Sequence, residues 1–454
     1  MFNHLRRSFS TLRTPIHRLS EPQKDVTLLC WVRTLRKHKD VVFADLSDGL
    51  SPKYLQAVFD AQRVSPDLGV GCSLKVTGDL VESQGKSQRL ELVPKTYEII
   101  GKCNLVNYPF RPRREYPVAH ERAHLHLRPR LRKFAALHRI RNDLTQSMHS
   151  FFQELDFCHI QTPIITSNDC EGAGEVFSIS HPNDPKEKDS AEEKRNPSYF
   201  PSRCHLTVSA QLHLEALVHS ISRVYTVQPA FRAENALSRK HLCEFAMLEA
   251  ELTVENLDEL VRLSEGLIKH CWQAVRTSED LKALKAEEWR DKLDEALQQG
   301  FLELSYGDAI KELKGRNFEC PIEWGDDFKV EHEEFLVATV SKGRPVVVTR
   351  FPAKLKPFYM EKSGETAECF DVLVPIGGEI VGGSLRETDL ETLGTLIDDQ
   401  KIEGLDWYLD LREYGSIPHG GFGLGIDRLM QYFTNTNSIK EIVAFPRWER
   451  HCQA

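Results

Sequence analysis

The chain has 454 residues, 41% of them hydrophobic and 28% charged, which is enough to build two or three domains that each bury a core. No run of about 18 uninterrupted apolar residues occurs, so a membrane-spanning segment is not expected. The 59 basic and 67 acidic residues give a net charge of −8, so a nucleic acid would have to bind at local basic patches. The eleven cysteines are scattered without a CxxC pair, which argues against a zinc knuckle and favours a reducing compartment.

The first twenty residues differ from the acidic remainder of the chain. They contain four arginines and several Ser and Thr residues, and no acidic residue occurs before Glu21. This composition is typical of a mitochondrial transit peptide, so we predict a leader at residues 1–20 and a location in the mitochondrial matrix. The alternative interpretation is an ordinary basic terminus.

A β-rich region follows the leader. Five short runs of apolar or alternating residues, separated by turn signals such as Asp48-Gly49, occupy residues 25–103. Five short strands in so few residues favour a small barrel of the OB type. Residues 104–130 are rich in Arg, His and Pro, and we interpret them as a surface hinge rather than a core element.

Residues 131–454 have the pattern of one large domain, which makes the predicted fold class α+β. Apolar residues recur every three or four positions from Phe134 and predict a long helix that ends near Asp156. A strand with a kink at Pro163 follows, and further strands lie on both sides of a polar turn at 235–241 and in the glycine-rich segments near the C-terminus. The charged, proline-containing stretch at 181–197 predicts a surface insertion.

Three short motifs attract attention, although each has a plain structural interpretation. The sequence FRAE at 231–234 could form an ion pair at a strand end, GGEIVGGSLRE could be two close-packed strands, and GGFGLGIDRLMQYF could be a capped helix start. Their order and spacing together resemble the class II aminoacyl-tRNA synthetases, in the subgroup of the aspartyl, asparaginyl and lysyl enzymes. The connecting segments SAQLHLE, CEGAGEVF and WYLDLREYGSIPHGG are most similar to the asparaginyl branch, and the leader to its mitochondrial members.

The resemblance implies an OB-type anticodon-binding barrel followed by a class II catalytic domain, with a central antiparallel sheet flanked by helices. The implied activity is ATP-dependent ligation of L-asparagine to the terminal 3′-OH of mitochondrial tRNA-Asn by way of asparaginyl-adenylate, in a homodimer. In this family the helix and the Pro163 segment build the dimer interface.

The resemblance also assigns the residues that bind ATP and act in catalysis. A carboxylate must approach the α-phosphate in this reaction, and the planar guanidinium of Arg232 can bridge the two anions. Glu234 and Phe245 are expected beside the adenine, and Arg428 at its other side and at the γ-phosphate. Arg232, Glu234 and Arg428 are the expected catalytic residues.

Two acidic residues are candidates for Mg²⁺ binding. Asp371 and Glu379 are expected on neighbouring strands, and carboxylate oxygens are suitable ligands for a Mg²⁺ ion that bridges phosphates. In the family, acids at the matching positions bind the metal. The resemblance also assigns Glu379 to the ATP-binding site. Without the resemblance, two carboxylates on neighbouring strands could equally well have a structural role as bind a metal.

The amino-acid pocket is expected to contain Glu171 at the substrate ammonium, with Gln211 beside it and Arg386 at the side-chain carbonyl. Aspartyl enzymes carry a lysine where this chain has Leu214, and a buried carboxylate facing a single guanidinium would be under-compensated. We therefore expect Arg386 to be the lone cation there and to select a neutral carboxamide. Glu215 is the expected acceptor for the carboxamide NH₂ group.

The resemblance places the anticodon contacts on the barrel. Phe43 is expected to stack on a base, Gln56 to bond a base edge and Arg36 to meet a phosphate or a base. Four hinge arginines either contact the tRNA backbone or belong to a solvated linker: Arg111, Arg113, Arg114 and Arg128.

Three other functions stay open from the sequence. The first is an aspartyl-tRNA synthetase, whether discriminating or not. The second is a synthetase-derived binding protein without catalysis, which the retention of Arg232, Glu234, Glu379 and Arg428 disfavours. The third is an asparagine synthetase of similar catalytic fold, which would not need the barrel.

Overall fold

The computed structural model describes residues 13–85, 88–111, 114–168, 170, 175–181, 199–234 and 238–453. The chain divides into two compact units, residues 1–139 with 282–284 and residues 140–281 with 285–454. Residues 1–12 of the predicted leader and residues 182–197 of the predicted insertion lie outside the described residues.

A closed five-stranded barrel forms most of the first unit, with the strand order β1-β2-β3-β5-β4. Its strands are β1 (Gln23–Lys37), β2 (Val41–Ser47), β3 (Leu55–Asp60), β4 (Ser73–Glu82) and β5 (Leu90–Gly101). Alternation along β1 buries Leu28, Cys30 and Val32 in the barrel core, while Leu29 and Trp31 are exposed. The predicted barrel is confirmed.

The segment after the barrel contributes buried side chains, unlike the predicted surface hinge. It contains helix α1 (Val118–Arg122), and the side chains of Phe110 and Leu125 are buried. Arg128, expected to meet solvent or tRNA, is 0% exposed, with its guanidinium 4.5 Å from the centre of the Phe134 ring. The interpretation of Arg128 as a surface residue is therefore wrong, because its stem and charge pack against an aromatic face.

An eight-stranded sheet with the order β12-β13-β16-β17-β18-β11-β10-β6 runs through the second unit. The central strands pair antiparallel, and the two edge strands β12 and β6 pair parallel with their neighbours. The predicted antiparallel sheet is thus confirmed. Its strands are β6 (Cys158–His159), β10 (Arg223–Phe231), β11 (Glu244–Thr253), β12 (Leu302–Ser305), β13 (Val346–Thr349), β16 (Cys369–Val374), β17 (Gly378–Leu385) and β18 (His419–Gly425).

Two small sheets lie beside it. One has the order β7-β9-β8 and the other pairs β14 with β15. Their strands are β7 (Ile165–Thr166), β8 (Ser178–Ile179), β9 (Cys204–Leu206), β14 (Lys362–Ser363) and β15 (Thr366–Ala367). The continuous strand predicted around Pro163 is wrong, because only the two-residue strands β6 and β7 form there and Pro163 has no N–H to donate to a ladder.

The helices cover the sheet, and the long predicted one is confirmed as α2 (Arg132–Glu154). The others are α3 (Gln211–Ile221), α4 (Leu257–Val275), α5 (Glu279–Ala283), α6 (Glu287–Gln298), α7 (Tyr306–Leu313), α8 (Val330–Phe335), α9 (Leu390–Asp399), α10 (Asp406–Glu413), α11 (Ile426–Thr434) and α12 (Ile439–Ile442). Near the end of α2, Phe152 stacks on Tyr225 of β10 with ring centres 4.6 Å apart. No helix in the described ranges has the length and apolar character needed to cross a membrane.

The barrel depends on a close approach between β4 and β5. A Cβ atom added at Gly78 would lie 2.3 Å from the carbonyl oxygen of Val93, which is backbone and cannot move away cheaply. We therefore expect Gly78→Ala to destabilise the barrel by about 1–3 kcal/mol. Hydrogen exchange of the β4 and β5 amides measures the effect.

Gly85→Ala is the matched control, because its added Cβ would come no closer than 3.4 Å to the Ser83 hydroxyl. Equal protection of the two strands in both variants would contradict the prediction.

Candidate active site and nucleic-acid interface

A cavity of about 450 Å³ opens over the middle of the large sheet. The strand register aligns Asp371, Gly382, Gly423 and Glu249 across its floor, on β16, β17, β18 and β11. Glycine at the two central positions leaves open space between the flanking carboxylates. Eight residues predicted from the sequence line this cavity: Gln211, Arg232, Glu234, Phe245, Asp371, Glu379, Arg386 and Arg428.

Arg232, Glu234 and Phe245 come together where β10 turns into β11. The backbone N–H of Arg232 donates to the carbonyl of Cys243 at 3.0 Å, which fixes Arg232 just beyond the end of β10. Its guanidinium lies 5.5 Å from the centre of the Phe245 ring. The Glu234 carboxylate lies 3.6 Å from the Nε2 atom of His241. A cation, an acid and a flat ring thus share one end of the cavity.

Arg428 lies at the start of α11 and is held by main-chain acceptors. Its Nη1 atom donates to the carbonyl of Glu379 at 2.7 Å, and its Nε atom donates to that of Lys240 at 3.4 Å. The preceding residue, Asp427, accepts from the Ala246 N–H at 3.0 Å and pairs with Arg141. These contacts tie α11 to β11 and β17 beside the Phe245 ring.

The two predicted metal acids converge over Gly382. A Cβ atom built on this glycine would lie 3.0 Å from Oε1 of Glu379 and 3.6 Å from Oδ1 of Asp371, so both oxygens face one point above the sheet. The second oxygen of Asp371 accepts from Lys356 Nζ at 2.7 Å. The described ranges contain no group of three or more candidate ligands. Two carboxylates fit Mg²⁺, which usually keeps several waters and phosphate oxygens as ligands.

Two acids in this region, Asp371 and Glu333, have raised pKa values. Burial raises the pKa of Asp371 to about 6, against the opposing effect of Lys356 and with a further contribution from Glu379. Burial likewise raises the pKa of Glu333 on α8 to about 7, although Lys240 lies 3.6 Å from it. For both acids, burial therefore outweighs the stabilisation that the neighbouring lysine gives to the ionised form.

Arg386 lies at the other end of the cavity and is 3% exposed. Its Nε and Nη2 atoms donate to the two carboxylate oxygens of Glu251 at 2.9 and 2.8 Å, and its Nη1 atom donates to the Ser384 hydroxyl at 2.5 Å. The guanidinium also lies 5.3 Å from the centre of the Tyr359 ring. A two-point pair of this kind fixes both the position and the orientation of the guanidinium.

Glu215 does not line the cavity, which corrects the prediction that it accepts from a substrate carboxamide. It is fully buried in α3 and accepts from Tyr408 Oη at 2.6 Å, Arg412 Nη2 at 2.9 Å and Gln211 Nε2 at 3.0 Å. Arg412 also corrects the prediction that Arg386 is a lone guanidinium, because both arginines approach the same carboxylate. Arg412 itself lies behind the cavity.

Several residues of the cavity wall were not predicted from the sequence. Glu249 lines the wall and accepts from the Ser209 hydroxyl and the Ala210 N–H. Strand alternation from Phe245 could have found Glu249 and Glu251, since residues two apart share a face. Tyr359 and Lys356, by contrast, come from a loop without a recognisable pattern. Glu171, the predicted ammonium ligand, lies outside the described residues.

A second candidate site lies on the barrel. Arg36 Nη2 donates to Gln56 Oε1 at 3.0 Å, and the Arg36 guanidinium lies 5.7 Å from the centre of the Phe43 ring. The side chain of Arg36 is 46% exposed. Strands β1, β2 and β3 thus bring together the three residues predicted to read an anticodon. In the following segment Arg111 and Arg114 are exposed, while Arg113 lies outside the described residues.

Comparison with known families identifies both parts of the chain. Residues 118–449 match the model for class II tRNA synthetases (D, K and N), and residues 26–100 match that for the OB-fold nucleic acid binding domain. The chain belongs to the class II tRNA synthetases of this group.

Curated relatives match the chain over nearly its full length. An asparaginyl-tRNA synthetase of Mus musculus is 39% identical over 94% of this chain and 91% of its own. An asparagine–tRNA ligase of Parabacteroides distasonis is 38% identical, covering 92% and 93%. A chloroplastic/mitochondrial asparagine–tRNA ligase of Arabidopsis thaliana is 37% identical, covering 94% and 80%.

Solved structures of the family have the same architecture. Asparaginyl-tRNA synthetase from Pyrococcus horikoshii, complexed with asparaginyl-adenylate, matches with a TM-score of 0.85 and 27% identity over 98% of this chain and all of its own. The Entamoeba histolytica asparaginyl enzyme, also with asparaginyl-adenylate, matches with a TM-score of 0.81 and 25% identity over 97% and 99%.

Because the pKa of Glu333 is raised, the free energy of unfolding of the ligand-free protein should depend on pH. The pKa in the folded state, about 7, exceeds the ordinary value of 4.5, so folding binds protons and stability falls as the pH rises between these values. Glu333→Gln removes this loss. Its free energy of unfolding relative to the native chain should therefore rise by roughly 1–3 kcal/mol between about pH 5 and pH 8. Thermal unfolding at both pH values measures it.

The control is Glu334→Gln, because the neighbouring Glu334 is exposed on the same helix. A Glu333→Gln advantage that does not change with pH would show that burial does not raise this pKa.

Proposed function

We propose that the chain is an asparagine–tRNA ligase. The carboxylate of asparagine attacks the α-phosphorus of ATP, forming asparaginyl-adenylate and releasing pyrophosphate, and the 3′-OH of tRNA-Asn then takes the acyl group and releases AMP. The chain's place in the D, K and N group supports the reaction class, and the names of the near full-length relatives support asparagine as the amino acid.

One observation carries the choice of asparagine: the buried charges around Arg386 are already balanced. Arg386 is paired with Glu251, and Arg412 is paired with Glu215, all with side chains at most 3% exposed. An aspartate carboxylate would add a negative charge that no unpaired cation among the described residues there offsets, whereas a carboxamide adds none. Only three of the five N–H groups of Arg386 are used in these contacts, so it can still donate to a neutral carbonyl.

The other end of the cavity suits the activation step. Arg232 is the cation that neutralises the repulsion between the substrate carboxylate and the α-phosphate, because a guanidinium can donate to two anions at once. Phe245 offers the face for adenine, with Glu234 beside it. Arg428, fixed by the Glu379 carbonyl, is the candidate for the γ-phosphate. These residues act by positioning and charge neutralisation rather than as a general base.

Asp371 and Glu379 would hold Mg²⁺ with ATP. The oxygens that converge over Gly382 and the hard carboxylate donor set support this assignment. When bound, Mg²⁺ would supply charge neutralisation on the phosphate oxygens. Lys356 donates to one oxygen of Asp371 in the ligand-free protein. When ATP is bound, Lys356 could instead donate to a phosphate oxygen.

The compartment and the assembly are further parts of the proposal. The basic, hydroxylated residues 1–20 support mitochondrial import, and hence mitochondrial tRNA-Asn as the acceptor. The homodimer is supported by apolar side chains exposed in the segment that the resemblance assigns to the dimer interface, namely Ile164 at 40% and Ile165 at 45%.

Amino-acid-dependent exchange of pyrophosphate into ATP tests the substrate choice. Asparagine should support exchange at least about 100-fold better than aspartate, since both buried arginines are already paired with carboxylates, and lysine should support none. Exchange with aspartate as fast as with asparagine would assign the chain to the aspartyl enzymes. If none of the three amino acids supports exchange, the result would favour the alternative of a binding protein without catalytic activity.

Removing the Phe43 ring tests the barrel as the anticodon reader. Phe43→Ala should raise the KM for tRNA-Asn about 5- to 100-fold, the range expected for losing one base–aromatic stack. Asparagine-dependent pyrophosphate exchange should stay unchanged, because that step does not involve tRNA. Leu50→Ala, at a barrel residue that is 59% exposed, is the control. A normal KM for tRNA in Phe43→Ala would remove Phe43 from the interface.

A further inference from the structure

A buried polar network lies behind the amino-acid end of the cavity, and none of its members lines the cavity. We call it the Glu215 network; it consists of Glu215, Tyr408, Arg412 and His419. Glu215 Oε2 lies 2.6 Å from Tyr408 Oη, 2.9 Å from Arg412 Nη2 and 3.1 Å from His419 Nε2. The side chains of Glu215, Arg412 and His419 are all 0% exposed.

The network meets the cavity wall at two points through the other oxygen of Glu215. This Oε1 atom accepts from Gln211 Nε2 at 3.0 Å and lies 3.9 Å from the Nε atom of Arg386. Gln211 and Arg386 both line the cavity. A change in the charge or position of Glu215 therefore reaches two side chains that face the substrate.

Arg412 is the main partner that offsets the negative charge of Glu215. Its Nη2 atom donates to Glu215 and to Tyr408 Oη, and its Nε atom donates to the carbonyl of Glu387 at 3.0 Å, which anchors the guanidinium from both sides. Burial opposes ionisation of Glu215, but Arg412 and then His419 hold its pKa well below the ordinary value. Without Arg412, the remaining nearby guanidinium for this buried carboxylate among the described residues would be Arg386.

We propose that Arg412 and Tyr408 are positioning residues that set the amino-acid selectivity of the cavity through Glu215. By satisfying Glu215, they leave Arg386 paired with Glu251 and oriented towards the substrate. Arg412 also offsets the charge of Glu215, so that the cavity favours an uncharged side chain. The inference deepens the proposed function and rests on asparagine being the substrate.

Tyr408→Phe and Arg412→Lys test the positioning, with pyrophosphate exchange as the assay. Each should raise the KM for asparagine about 3- to 30-fold, as expected for a lost buried hydrogen bond, and change the KM for ATP less than about twofold. Arg412→Lys keeps the charge, so it should leave the ratio of asparagine to aspartate use unchanged. Tyr414→Phe, on the 76% exposed tyrosine that follows α10, should behave as the native chain.

Glu215→Gln tests the charge balance. It leaves Arg386 and Arg412 with only Glu251 between them, an excess of one positive charge, so aspartate use should rise about tenfold or more relative to asparagine. The control Glu413→Gln removes an exposed charge from α10 and should leave the ratio unchanged.

The outcomes separate this inference from the proposed function. If the native chain does not use asparagine, the proposed function fails. If it does, but the KM values for asparagine and ATP rise together in Tyr408→Phe and Arg412→Lys as the unfolding temperature falls, the network is only structural and the inference is overturned. Should Glu215→Gln not fold, the KM split in the other two variants decides the question.

Discussion

The pairing of buried charges beneath the cavity is the constraint on which the amino-acid end depends. Arg386 and Glu251, and behind them Arg412 and Glu215, have little or no contact with water, so each charge must be matched within the protein. Glu251, Arg412 and Glu215 come from β11, α10 and α3, and Arg386 directly follows β17. Sheet register and helix packing must therefore both be correct before the pocket has its charge. The fold thus fixes the electrostatics that a substrate meets.

The glycines of β18 serve this pairing as well as the open cavity. A Cβ atom at Gly421 would lie 2.1 Å from Oε2 of Glu251, and one at Gly420 would lie 2.7 Å from the carbonyl of Ser384. The missing side chain at Gly421 therefore leaves space for the Glu251 carboxylate that holds Arg386. Two strand positions further on, Gly423 clears the floor beside Glu249. One glycine-rich strand gives space to two different parts of the site.

Local patterns were predictable from the sequence, whereas long-range pairs were not. Alternation and helical periodicity identified the barrel strands and α2, because each pattern is contained within one element. The ATP-end residues followed from motif order. Arg412 was not predicted because its partner Glu215 is 197 positions away. Strand alternation could place Glu251 on the cavity face, but not its pairing with Arg386, which is 135 positions away. Nothing in a single sequence marks which charges meet across such distances.

The two ends of the cavity hold their charges in different ways, and this difference corresponds to the tasks that we propose for them. At the phosphate end, Lys356–Asp371 and Lys240–Glu333 are single-point pairs with side chains 14–23% exposed. A pair held at a single point has fewer contacts to break when a highly charged ligand arrives than a pair held at several points. At the amino-acid end, the pairs are at most 3% exposed and are held at several points, so rearrangement would strand a buried charge. Discrimination between carboxamide and carboxylate needs that rigidity, while binding of a polyphosphate needs cations that can be released.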